Sequence, residues 1–145
     1  MFNTVIVATD GSESVSRAAD CALDLAARFD ATVHALYVLD ETQVESLPED
    51  VHDEVRDALD EQSTETLEAM AAVNRKRSDP VDLETVVRVG RPTERIIGHA
   101  EEVDADVVAT GTRGRHGEHS FLLGSVAERV VRTCPVPVLT VRQLN

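Results

Sequence analysis

Apolar and polar positions along this chain switch repeatedly between two periods. Residues 3–9 (Asn3-Thr4-Val5-Ile6-Val7-Ala8-Thr9) form a nearly unbroken apolar run, the pattern of a strand buried on both faces of a parallel sheet. Asp10-Gly11-Ser12 breaks it, with Ser12 placed to cap a helix. Val15, Ala18, Ala19, Ala22, Leu23 and Ala26 then recur at helical spacing, ending near Phe29. A second strand is predicted at 32–38. A long helix is predicted from about Pro48, opened by Ser46 and Glu49 in capping-box spacing. Its apolar face reads Val51, Val55, Leu59, Leu67, Met70 and Val73.

The pattern then repeats. Residues 83–89 read as a strand, and Gly90-Arg91-Pro92 turns into a helix carrying Ile96, Ile97, Ala100 and Val103. Residues 106–110 form another strand, 111–123 a polar loop with glycines, and Ser125 opens a helix with Val126, Val130 and Val131. Residues 136–141 form the last strand. Strands alternating with helices imply a parallel sheet covered on both sides, and right-handed crossovers leave few topologies. Ligands in such sheets bind beyond the carboxyl ends of the strands, where the winding reverses. The candidate ends are Thr9-Asp10-Gly11, Val38-Leu39-Asp40, Gly90-Arg91 and Gly111-Thr112-Arg113.

Composition narrows the class. A chain of 145 residues, 42% hydrophobic and 28% charged, fits one globular domain over residues 1–145. No apolar run approaches the roughly 20 residues of a membrane helix, and the N-terminus lacks a basic start, so a cytoplasmic location is expected. Cys21 and Cys134 stand in no metal-ligand or disulfide spacing and read as small core hydrophobes. The acidic stretch at 40–61 reads as a solvated face.

Charge changes the picture more. There are 27 acidic and 14 basic residues, a net of −13, and Lys76 is the sole lysine. Such a surface disfavours nucleic acid and anionic membranes and resembles that of proteins from salt-loving organisms, where salt screens self-repulsion. Residues 111–145 nevertheless carry five arginines and two acids, a net of +3, leaving −16 on residues 1–110. An anionic ligand meets its least hostile surface there.

That same quarter holds the informative segment, Thr110 to Ser125. It leaves a strand, contains Gly111, Gly114, Gly117 and Gly124, and enters a helix at Gly124-Ser125. Glycine allows close backbone approach, and a helix N-terminus offers free N–H groups to phosphate. The glycines can equally be turns, and Ser125 with Glu128 makes a capping box needing no ligand, so the pattern alone leaves both readings open. There is no P-loop lysine motif and no G-x-G-x-x-G after the first strand.

Gly111, Gly114 and Gly124-Ser125 fit the spacing G-x2-G-x9-G-(S/T), which resembles the ATP-binding signature of the universal stress protein family. Ile6-Val7-Ala8-Thr9-Asp10-Gly11-Ser12, Gly90-Arg91-Pro92 and Cys134-Pro135-Val136-Pro137-Val138-Leu139-Thr140-Val141 are similar to that family too. The resemblance spans essentially the whole chain and is weakest at 40–80. It implies a doubly wound α/β fold, five parallel strands in order 3-2-1-4-5 with helices on both faces. The reversal then falls between the strands carrying Asp10 and Gly111.

By the same resemblance, Asp10 holds the ribose end beside Thr9, Val38 meets the adenine through its backbone, and Gly111 lies by the ribose after Thr110. Gly114, Gly124, Ser125 and Val126 contact the phosphates. Ala127 departs from the pattern, since a hydroxyl residue is common there, and one phosphate contact fewer is expected. Arg113, Arg115, His116 and His119 are within reach of phosphates or simply solvated. Mg²⁺ or Mn²⁺ would enter with the phosphates and not through a dedicated site.

These readings favour an ATP-binding stress-response sensor or regulator. No general base is assigned, so any ATP hydrolysis is expected to be slow. Two rivals stand beside it. One is a dimeric interaction module of the same family that binds no nucleotide, against which the intact glycine spacing argues. The other is a nucleotidyl-transferring or ATP-hydrolysing enzyme on this fold, for which Lys76 is poorly placed. Pro135 and Pro137 lack N–H donors and so place the last strand at a sheet edge. Pairing with a second copy would close that edge, and the family resemblance likewise implies a homodimer through the fifth strand. No protein partner is legible.

Overall fold

The computed structural model describes residues 2–9, 15–112 and 124–142. Five parallel strands form one sheet in the order β3-β2-β1-β4-β5. They are β1 (Thr4–Thr9), β2 (Thr32–Asp40), β3 (Asp82–Gly90), β4 (Val107–Gly111) and β5 (Val138–Val141). The helices are α1 (Val15–Phe29), α2 (Glu41–Glu45), α3 (His52–Arg75), α4 (Pro92–Glu102) and α5 (Ser125–Thr133).

The apolar run at 3–9 is central because both of its faces are covered. Val5 and Val7 pack with Val15, Ala18, Ala22 and Leu23 of α1 and with Leu67 and Met70 of α3. Ile6 and Ala8 point the other way, to Ile96 and Ala100 of α4 and Val130 of α5. Period-2 alternation thus sorts one strand into two cores, and four of the five helices make the layers above and below. Six small or aliphatic residues of α1 are buried, four of them alanines, which brings that helix backbone close to the sheet. Cys21 and Cys134 are unbonded and partly buried, one against each core.

The strand starts are tied by one carboxylate. Asp106 Oδ2 accepts hydrogen bonds from the amides of Asn3 (2.7 Å) and Thr4 (3.0 Å). β5 and β3 are the sheet edges, as the prolines predict for β5. That strand begins at Val138 and not at 136, its ladder opening with Val108 N–H donating to Pro137 O (2.9 Å). β2 runs on to Asp40, and β4 lies one residue later than its pattern suggests.

Residues 40–80 differ most from expectation. Asp40 caps an unpredicted short helix, its Oδ1 accepting from Thr42 N–H (3.0 Å) and Thr42 Oγ1 (2.6 Å). Ser46 therefore closes α2, donating to Gln43 O (3.3 Å), and forms no capping box with Glu49. The chain enters α3 through a single 3₁₀ turn, Glu49–Val51. The buried stripe of α3 is Ser63, Leu67, Met70 and Asn74, while Val73 is exposed. Asn74 takes the inner position because it clamps the following turn, donating to Val81 O (2.8 Å) and accepting from Val81 N–H (3.0 Å). Among the described residues no helix is long and apolar enough to cross a membrane.

Candidate functional site

Strand register brings four of the predicted positions to one end of the sheet. Ala8 pairs with Thr110, Thr9 with Tyr37, and Gly111 with Val141. Thr9, Val38, Thr110 and Gly111 thus lie towards the carboxyl ends of three neighbouring strands, β2, β1 and β4. Thr9, Val38 and Gly111 are buried and Thr110 is partly buried. The β1 ladder stops at Tyr37, whereas β2 stays paired with β3 as far as Asp40. From Val38 onward, β2 has a strand partner on its β3 side only, among the described residues.

The second half of the site arrives from α5. Gly124 N–H donates to Thr112 O, which pins the start of α5 to the end of β4. Gly124 is the N-cap, with φ −64 and ψ 158, and no side chain caps the helix. Ser125 is therefore the first helical residue, exposed, and the expected Ser125–Glu128 capping box is not formed. The first donor inside the helix is Glu128 N–H, to Gly124 O (2.9 Å). The amides of Ser125, Val126 and Ala127 precede that ladder, as at any helix start. Gly124's own amide is committed to Thr112, and the residue presents no side chain at this junction.

Val126 is partly buried against the α4–α5 core, and Ala127 is buried. One further group was not singled out from sequence: Thr112 Oγ1 is buried with no hydrogen-bond partner among the described residues. It sits where β4 meets the helix start. Its sequence signal was only that it lies between Gly111 and Arg113. Asp10 and Gly114, with Arg113, Arg115, His116 and His119, lie outside the described residues, as does the Ser12 cap.

The described part of the site therefore offers backbone amides, a helix N-terminus and threonine hydroxyls around two glycines. Those are donors suited to an anion such as phosphate. No carboxylate is among them, and no group of three or more His, Cys, Asp or Glu among the described residues is placed to hold a metal.

Comparison with known proteins agrees with this architecture. A universal stress protein of Methanocaldococcus jannaschii is 34% identical over 144 residues, covering 99% of this chain and 84% of that protein. The solved structure of the hypothetical protein MJ0577 superposes with a TM-score of 0.84 at 26% identity, covering 100% of this chain and 99% of its own. A universal stress protein solved in complex with cAMP superposes with a TM-score of 0.63 at 29% identity, with 97% of each chain covered. The sequence model of the universal stress protein family matches residues 1–142, and the chain belongs to that family.

Proposed function

We propose that this protein binds ATP at the carboxyl ends of β1 and β4 and serves as a cytoplasmic stress-response sensor or regulator. The observation that carries the reading is the Gly124–Thr112 hydrogen bond, which sets the open amides of α5 beside the strand ends at the winding reversal. In this reading the backbone edge at Val38 meets the adenine, Asp10 and Gly111 flank the ribose with Thr9 and Thr110, and Gly114, Ser125 and Val126 meet the phosphates. Gly124 leaves room for them. A divalent cation, Mg²⁺ or Mn²⁺, would enter with the phosphates and supply charge neutralisation from their side. The relative bound to cAMP supports an adenine nucleotide. Mass spectrometry of material released by denaturing the purified protein should find one. A protein that releases no nucleotide and binds none when offered would overturn the reading.

The protein is further proposed to be a homodimer closed through the β5 edge, where Leu139 is exposed. Light scattering at micromolar concentration should give twice 15.8 kDa, and a monomer would refute it. The net charge of −13 is read as an adaptation to high salt. The melting temperature should fall on dialysis from molar to millimolar salt, as the Debye length grows from about 3 Å at 1 M to about 30 Å at 0.01 M. An unchanged value would remove that case.

A further inference from the structure

Helix α4 is seated on β2 and β3 over a chain of titratable side chains at the end of the sheet away from the candidate site. His99 Nε2 lies 3.3 Å from His34 Nδ1, with the rings 5.4 Å apart and tilted by 55°. His34 Nε2 lies 3.5 Å from Glu84 Oε2, and His99 Nδ1 lies 3.8 Å from Glu102 Oε2. The side chains of His99 and His34 are 3% and 13% exposed. His99 Nδ1 is buried and has no hydrogen-bond partner among the described residues.

Hydrogen-bond logic counts the protons. Two neutral imidazoles bring two N–H protons to three junctions, Glu84–His34, His34–His99 and His99–Glu102. Whichever tautomers they take, one carboxylate faces a lone pair, and one proton is missing from the chain. Supplying it on His99 gives both of that ring's neighbours a donor but places a full charge beneath the helix. The charged and titratable groups around that charge are His34 on β2, Glu84 and Arg88 on β3, and Glu94, Arg95, Glu101 and Glu102 on α4.

We propose that the Glu84–His34–His99–Glu102 chain is a one-proton switch whose protonation loosens the seating of α4 on β2 and β3. Burial first, then His34 and Arg88, hold the His99 pKa below its ordinary 6.5, against the raising influence of Glu102. His99 thus binds fewer protons in the folded protein than in the unfolded chain just below pH 6.5. The stability His99 contributes is complete above that value and is lost as pH falls towards its lowered folded pKa. α4 shares Ile96, Ala100 and Val130 with α5, whose first turn opens the candidate site.

Hydrogen exchange of the α4 amides in the full-length protein, corrected for intrinsic rates, tests this between pH 7.5 and 5.5. Protection of α4 should fall by up to about tenfold per pH unit, the limit for one proton, while α1 keeps its own. Glu102→Gln should move the transition to lower pH and Arg88→Gln to higher pH. Both side chains are exposed enough, 64% and 40%, for the variants to fold. His99→Gln should abolish the transition. Protection of α4 independent of pH, or a midpoint that neither surface variant moves, would overturn the proposal, as would a transition retained in folded His99→Gln.

Discussion

Replacing Gly124 with valine is expected to weaken nucleotide binding at least tenfold while the protein stays folded. Gly124 has φ −64 and ψ 158, a conformation open to any residue, so valine demands no new backbone geometry. What it adds is a branched side chain at a buried position where α5 meets β4. A ligand phosphate approaching the Ser125 and Val126 amides would have to pass that bulk. Hydrogen bonds to a charged group contribute roughly 1.5–3 kcal/mol each, and about 1.4 kcal/mol is a factor of ten in affinity, so losing one suffices. Calorimetry on wild type and variant, with circular dichroism as the control for folding, measures both halves. Unchanged affinity in a folded variant would mean that the glycine serves only the turn into α5.

Ile6→Ala is expected to cause the largest loss of stability, about 2–5 kcal/mol. Ile6 is 0% exposed in the central strand and packs with Ile96, Ala100, Val108 and Val130. Removing three carbons there leaves a cavity between the sheet and both helices of that layer, neither of which can collapse without leaving its other contacts. Against the 5–15 kcal/mol typical of a domain, that is a large fraction. Denaturation by urea in molar salt should show a lower midpoint with an unchanged slope. A loss under 1 kcal/mol would mean the core relaxes far more than its packing implies.

The strands were readable because a sheet buried on both faces imposes long apolar runs, and 3–9 is such a run. The alternation of α1 and α4 stripes with those runs settled their placement. At 40–80 the same logic failed for local reasons. Ser46 suits either end of a helix, and its role was decided by Asp40 capping α2 first. Asn74 displaced Val73 from the inner face because it satisfies both backbone groups of Val81, a gain that hydrophobic periodicity cannot register. His99 went unread, although it sits between Ile96 and Ala100 in the helical stripe. A polar residue in that stripe is the visible trace of the His34 contact.

At the site, the switch-point rule located the strand ends, and register places Thr9, Val38, Thr110 and Gly111 together there. The long-range bond from Gly124 to Thr112 was not legible, since nothing local pairs a helix cap with a strand end twelve residues earlier. It commits the Gly124 amide to Thr112 and leaves the amides of Ser125, Val126 and Ala127 ahead of the helix ladder. The Thr112 hydroxyl, buried and without a partner among the described residues, likewise emerges only from burial.

The most direct test of the nucleotide cradle is calorimetric titration of the purified full-length protein with ATP and, in parallel, GTP, in molar salt. Saturable ATP binding with clearly weaker GTP binding is predicted, because the backbone edge at Val38 is read as meeting the adenine. No heat with ATP, or GTP bound as tightly or more so, would contradict it.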